Sequence, residues 1–291
     1  MFGQPELMVM CGLSGSGKST WAEREAKQWG YEIVSSDDIR AELGDVNDQS
    51  RNNEVFQIFY QRIKDHLKAG HHVIADATFL TIKERRRILE EVKDIKCYKS
   101  CYIMATPFDE CLKNNKSRDR QVPESVIYRQ RAKFQVPFEE EGWDDIGIKY
   151  YKSRMDDLDV LLRRMTRFDQ KNPHHQNSLL VHSVKVAEKF AKDEYDFWNA
   201  LLHDYGKLFT QTFDENEVAH YYNHESVGAY ELLINYAALT YDMYQSALFL
   251  TNYHMLPFGW KTDKAKEKWR RIFGDEKFQM LMDFHECDKG D

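Results

Sequence analysis

The sequence predicts an α/β domain, a parallel sheet with helices on both faces, followed by an all-α helical domain. Three observations carry this reading. Strand and helix signals alternate over roughly the first 150 residues, the pattern that builds parallel sheets. Beyond that point strand signals disappear and helical periodicity takes over. Near the start, the run GLSGSGKST at 12–20 fills the phosphate-loop template G-x-x-x-x-G-K-[ST] without a mismatch. The expected organisation is a first domain at 1–150, a linking helix and loop at 151–173, and a second domain at 174–291.

The elements follow in order. Leu7 to Cys11 is a short apolar run that reads as a buried strand, and 20–28 reads as a helix. A phosphate loop needs that context, because backbone N–H groups and a helix N-terminus must point at one anion. Gly12, Gly15 and Gly17 allow the close backbone approach, and Ser14, Ser16 and Thr20 complete the loop. Lys18 would reach the terminal phosphates and Ser19 would hold Mg²⁺. A second strand is expected at 32–35. Val55, Ile58, Phe59, Ile63 and Leu67 recur at helical spacing. Strands at 72–75 and 99–105 follow. Helices are then expected at 155–165, 179–191, 195–208, 224–238, 241–253, 264–273 and 276–286, with a loop at 169–173.

Composition narrows the classes. A hydrophobic fraction of 42% suffices for ordinary cores, and no apolar stretch approaches the roughly 20 residues of a membrane span. The first ten residues lack a secretory pattern. Five scattered cysteines with no C-x-x-C pair fit a reducing cytoplasm. The net charge of −7 argues against a protein that coats nucleic acid, while leaving room for one that grips only an end.

In open α/β sheets ligands bind at the carboxyl ends of strands. The loop, Asp37/Asp38 and Asp76 all follow strands, so they are expected to share one crevice. A carboxylate there can accept a proton from a hydroxyl. Arg40, three residues after Asp37, would share its helix face and grip a phosphate on the acceptor. Helix capping is the competing role for Ser36-Asp37-Asp38. Asp76 is expected to hold Mg²⁺ or orient the acceptor, with a cap or turn as the alternative. The basic run 115–123 reads either as a flap that closes on the nucleotide or as a solvated helix face, and Arg118 and Arg120 are equal candidates within it.

Residues 7–137 resemble the kinase module of polynucleotide 5′-kinases from nucleic-acid end-healing enzymes. The pieces are GLSGSGKSTWA, SSDDIR, VIADATF and a flap ending in RQVPESVI. The resemblance implies ATP and Mg²⁺ on Lys18 and Ser19, Asp37 as general base toward a 5′-OH, Arg40 on the acceptor phosphate, and Arg118 or Arg120 on the donor phosphates. This chain has Phe79 where that family often has Asn.

The helical half carries His182, His203-Asp204, His220, His224, His254 and Asp288. Imidazoles and carboxylates projecting from several helices into one cavity make a metal site, and a bound ion would make water nucleophilic. Each histidine alone reads more simply as a surface or core residue. As a set they follow the order H…HD…D, with LLHDYGK at its centre, and 174–291 resemble HD-domain phosphohydrolases. The resemblance implies His182, His203, Asp204 and Asp288 as ligands of a divalent ion (Mn²⁺, Ni²⁺, Co²⁺, Zn²⁺ or Mg²⁺). It also implies His224 and His254 as the extra ligands of dinuclear members, with His220 a weaker candidate. Asp288 lies near the end of the sequence, where fraying is usual, and Asp283 is the fallback. Lys207 is expected to contact a substrate phosphate.

Together the two halves suggest a bifunctional end-healing enzyme acting on RNA or DNA ends. One site would phosphorylate a 5′-OH, and the other would remove a 3′-phosphate, 2′-phosphate or 2′,3′-cyclic phosphate, before a ligase of the same pathway seals the break. A cytoplasmic protein is expected, and a fusion this compact fits a phage product acting in the host cytoplasm. The alternatives are a nucleoside or small-metabolite kinase fused to a nucleotide phosphohydrolase, and a regulatory module that keeps both sites as switches.

Overall fold

The computed structural model describes residues 3–46, 48, 50–118, 120–151, 158–171, 178–235 and 241–289. The first residues of the expected linking helix, at 155–157, and part of the expected loop after it lie outside them, as does Asn177 at the start of the first HD element. The chain divides into two compact units. One comprises Met1–Ile127 with Glu141–Lys152, and the other Tyr128–Glu140 with Ser153–Asp291.

From its start the chain runs β1 (Glu6–Cys11), α1 (Lys18–Trp29), β2 (Glu32–Ser35), α2 (Ser36–Glu42), α3 (Asn52–Lys68), β3 (Val73–Asp76), α4 (Ile82–Glu91), β4 (Tyr98–Ala105), α5 (Phe108–Lys116), α6 (Glu124–Ala132) and β5 (Asp145–Tyr150), all in the first unit except α6 from Tyr128 on. The strands form one parallel sheet in the order β2-β3-β1-β4-β5. β1 is buried along its whole length, as a central strand covered on both faces must be. Met8, Met10, Ile74 and Met104 pack with Trp21 and Ala22 of α1 on one side. The one charge in β1, Glu6, accepts hydrogen bonds from Tyr31 and Ser100, both at 2.6 Å. β5 was not among the expected strands. Its return is fixed by Arg85 and Glu141, both fully buried, which meet in a bidentate pair at 2.6 and 2.8 Å.

The second unit contains α7 (Leu158–Arg167), α8 (Leu179–Phe190), α9 (Glu194–Leu201), α10 (Lys207–Thr210), β6 (Thr212–Phe213), β7 (Ala219–His220), α11 (His224–Asn235), α12 (Tyr241–Tyr253) and α13 (Asp263–Asp288). Nearly every side chain of α11 is buried, which makes it the central helix. Gly206 and Gly228 let α10 and α11 touch, since a Cβ on Gly206 would lie 1.8 Å from the His224 carbonyl oxygen.

Three details differ from the sequence expectation. The helix expected at 195–208 is broken by a turn between α9 and α10. A short antiparallel hairpin, β6–β7, interrupts a region read as purely helical. The two helices expected at 264–273 and 276–286 are present within α13, separated by the non-helical Gly274 (φ 73°, ψ 169°). Residues 128–140, expected in the first domain, pack within the second unit. Phe138 meets Phe249 and Phe273 at 5.5 and 5.2 Å, and Asn252 bonds to the backbone of Val136 and Phe134 at 2.6 and 3.1 Å. Among the described residues, no helix is long and apolar enough to cross a membrane.

Candidate functional sites

The phosphate loop links β1 to α1. Gly15 (φ 81°) and Gly17 (φ 88°) take left-handed angles, and a Cβ on Gly15 would strike the Cys111 carbonyl oxygen at 2.2 Å. The loop is held from outside by Thr106, which donates to the Ser16 carbonyl at 2.8 Å, and by Asn114, which donates to Gly15 at 3.0 Å. Lys18 is buried and donates back to the carbonyls of Gly12 and Leu13 at 3.1 and 2.8 Å. Burial pulls its pKa down, against the pull of Asp76.

The capping alternatives for the two crevice carboxylates are answered by the geometry. Ser35 caps α2, accepting from the Asp38 N–H, so Asp37 is left for side-chain chemistry. Thr81 caps α4 in a capping box, and Asp76 instead accepts the Ser19 hydroxyl at 2.7 Å. Burial raises the Asp76 carboxyl above its ordinary value, opposed by Lys18 and Ser19. Ser19 and Asp76 together offer hard oxygen donors of the kind Mg²⁺ takes.

Asp37 is half-exposed and lies between two guanidiniums, Arg40 at 2.9 Å and Arg120 at 2.7 Å. Arg40 is further held by Asn52 at 2.7 Å, a contact the sequence reading did not name, and its buried Nε has no hydrogen-bond partner among the described residues. The two flap arginines part company. Arg118 lines a cavity of about 640 Å³ with Gly15, Lys18, Ser19 and Tyr151, whereas Arg120 binds Asp37 and the Val46 carbonyl. Phe79 is a core residue, 2% exposed and packed on Phe59.

The second site lies in the helical unit. His182 on α8, His203 and Asp204 after α9, His224 on α11 and His254 after α12 are all buried. One group, His182–His203–Asp204, and another, Asp204–His224–His254, each bring their ligand atoms within 4.8 Å of one another. Asp204 belongs to both. Its Oδ2 faces His182 and His203 at 3.4 and 3.3 Å, and its Oδ1 faces His224 and His254 at 3.1 and 3.6 Å. Asp288 joins from α13, 3.4 Å from His182 and 3.7 Å from His203. Its helix remains ordered through that residue, while Asp283 is exposed and bonded to Gln279. His220 stands apart, paired with Asp214. Lys207 is buried with its ammonium 2.6 Å from Asp204, where it neutralises the shared carboxylate.

The donor set fits a divalent ion. The Nδ1 atoms of His203, His224 and His254 each face a backbone carbonyl, those of Ala200, Tyr221 and Thr251, at 2.9–3.0 Å. A carbonyl only accepts, so Nδ1 carries the proton and Nε2 is left as a ligand atom. The Nε2 of His203 is buried without a hydrogen-bond partner among the described residues. Burial opposes charge on Asp204, but Lys207 and His203 hold its pKa well below the carboxylate range. Burial likewise opposes charge on His182, yet bonds to Asp204 and Asp288 raise it to about 9. The ring of Phe284, 5.1 Å from that of His203, floors the cluster. Mixed imidazole and carboxylate ligands suit Mn²⁺, Co²⁺, Ni²⁺ or Zn²⁺ better than soft ions.

Comparison with known proteins bears on the first unit. Residues 7–137 match the family described as AAA domain. The bifunctional polynucleotide phosphatase/kinase of Schizosaccharomyces pombe is 25% identical over 146 residues, 48% of this chain and 32% of that protein. The chain thus spans about a third of that relative's length. The L-seryl-tRNA(Sec) kinase of Methanococcus maripaludis is 27% identical over 192 residues, 64% of this chain and 75% of that protein. Among solved structures, a chain of the Pnkp1/Rnl/Hen1 RNA repair complex aligns with a TM-score of 0.41 at 21% identity, over 45% of this chain and 44% of its own. The match at 7–137 takes in the phosphate loop and four of the five parallel strands, and both relatives named are kinases, which supports a P-loop kinase fold for the first unit.

Proposed function

We propose that this chain is a bifunctional nucleic-acid end-healing enzyme. The first unit transfers the γ-phosphate of ATP to a 5′-OH polynucleotide end. The second hydrolyses a 3′-phosphate, 2′-phosphate or 2′,3′-cyclic phosphate. The observation that carries the reading is Asp37 held between Arg40 and Arg120 beside the phosphate loop. A carboxylate flanked by guanidiniums suits an acceptor that brings its own phosphate next to the reacting hydroxyl.

In the transfer, Asp37 takes the hydroxyl proton as that oxygen bonds to the γ-phosphorus. The bond from the γ-phosphorus to the β,γ-bridging oxygen breaks, and ADP leaves. Arg40 and Arg120 orient the acceptor phosphate. Lys18 and Arg118 stabilise charge on the donor phosphates. Mg²⁺, held by Ser19 with Asp76 beside it, would supply further charge neutralisation. In the second unit, His182, His203, Asp204, His224, His254 and Asp288 would hold one or two divalent ions, whose chemistry there is to lower the pKa of water. Lys207 keeps Asp204 ionised. A nucleic-acid ligase in the same pathway would consume the healed ends.

The test uses an oligonucleotide with a 5′-OH and a 2′,3′-cyclic phosphate, given ATP, Mg²⁺ and Mn²⁺, with both ends resolved by mass. Gain of phosphate at the 5′ end with opening or loss of phosphate at the 3′ end is expected. No change at either end would overturn the reading. A second reading is supported by the likeness to the L-seryl-tRNA(Sec) kinase, which extends over 64% of this chain. That relative acts on a seryl-tRNA. A kinase of nucleosides or small metabolites is the simpler variant. Acceptor panels containing aminoacylated RNA and nucleosides separate these from the 5′-kinase.

A further inference from the structure

A third cluster lies away from both sites. Glu32 opens β2, His66 sits in the last turn of α3, and His71 follows in the link to β3. The link is tight. Gly70 takes a left-handed angle (φ 85°), and the His71 N–H bonds back to the His66 carbonyl at 3.0 Å. One ligand atom from each of the three side chains lies within 4.8 Å of the other two. The Nδ1 atoms of His66 and His71 are 3.4 Å apart.

That distance admits two roles. It is long for a hydrogen bond between the two rings. It equals the edge of a tetrahedron whose centre lies about 2.1 Å from each corner, about 3.4 Å, the geometry of Zn²⁺ with imidazole ligands. Two imidazoles and a carboxylate are also the donor types that borderline divalent ions prefer. Glu32 and His71 are exposed and His66 is half-buried, so solvent can supply a fourth ligand.

We propose that Glu32, His66 and His71 bind a divalent transition-metal cation of the Zn²⁺ class. The ion would staple the end of α3 to the start of β2. Glu32 is at the amino end of its strand, whereas the phosphate loop follows the carboxyl end of β1 in the same parallel sheet. The ion therefore takes no part in phosphate chemistry. Its reach is mechanical. β2 runs directly into α2 and Asp37, and the other end of α3 supplies Asn52, which holds Arg40. One ion at the far end would fix both elements that orient the acceptor residues.

The test is Zn²⁺ binding by equilibrium dialysis of the full chain, with thermal melting in parallel. The wild type is compared with His71→Ala and with His66→Ala/His71→Ala, none of which touches the buried cluster in the second unit. The number of tightly bound Zn²⁺ ions should fall by one in the double variant. His71→Ala alone should weaken that ion at least tenfold, and the Zn²⁺-dependent rise in melting temperature should shrink. Equal stoichiometry in wild type and double variant would overturn the proposal, as would an ion lost equally from all three proteins at low ionic zinc.

Discussion

Ser19 donates its hydroxyl to Asp76 at 2.7 Å, joining the first turn of α1 to the end of β3. Two oxygen donors 57 positions apart in sequence are thereby brought to one point of the crevice beside Lys18. Asp76→Asn should raise the Mg²⁺ concentration for half-maximal phosphoryl transfer at least tenfold. Lys18→Ala should lower kcat by about 10²–10³-fold, the usual cost of losing one positioned charge on the transferred group. Initial rates over a Mg²⁺ series check both, and hydrolysis by the second unit should be unchanged in each.

The two flap arginines should separate kinetically. Arg118 lines the loop cavity, so Arg118→Ala should raise KM for ATP. Arg120 holds Asp37, so Arg120→Ala should raise KM for the acceptor about tenfold with KM for ATP little changed. Two-substrate kinetics on the same oligonucleotide would refute the division if both variants moved the same constant.

Asp204 is the carboxylate that belongs to both histidine groups in the second unit. Asp204→Asn should abolish metal-dependent phosphohydrolase activity and lower the number of bound Mn²⁺ ions, leaving 5′ phosphorylation intact. Activity assays with metal analysis of the dialysed protein decide this. Retention of full hydrolysis would remove the buried cluster from catalysis.

Gly206 has an ordinary φ of −63°, so its requirement is purely steric. A methyl group there would meet the His224 carbonyl oxygen at 1.8 Å and the Gly228 nitrogen at 2.7 Å. Gly206→Ala should cost about 3 kcal/mol by forcing α10 from α11. Gly259→Ala, with nothing within 4 Å, is the control. Denaturant melts of both variants measure the difference.

Tyr60 and Tyr102 in the first unit are both pushed up to about 12, chiefly by burial. A phenol whose folded pKa is raised contributes stability that is whole below its unfolded value of about 10 and is lost as pH rises above it. The first unit should therefore lose stability between about pH 10 and 12. Tyr60→Phe should flatten that slope in melts taken across the range.

Much of the first unit was legible because its signals are local. The loop motif, the apolar run before it and the helical spacing of Val55 to Leu67 each lie in one short window. β5 was missed although Asp145-Ile146-Gly147-Ile148 alternates, because the signal is only a few residues long. The place of 128–140 was not readable, since it depends on Asn252, Phe249 and Phe273 more than 100 residues away. The same holds for the split between Arg118 and Arg120, two positions apart in sequence and facing different groups in space. In the helical unit the order of histidines was readable, but Phe284 beneath His203 was not. Lys207 was read as a substrate contact, although its spacing three positions after Asp204 makes the two neighbours in a helix or a turn alike.

The bonds from the rings of His203, His224 and His254 to carbonyls three positions earlier have a consequence for assembly. Each ring is oriented by its own stretch of chain, so its tautomer is chosen before any neighbour arrives. Only the convergence of the rings needs the complete bundle. A loosened state that kept its helices would still present correctly protonated ligands, merely dispersed. An ion entering late would gather them without rearranging a single proton on these three rings, and so would act as the closing contact of folding.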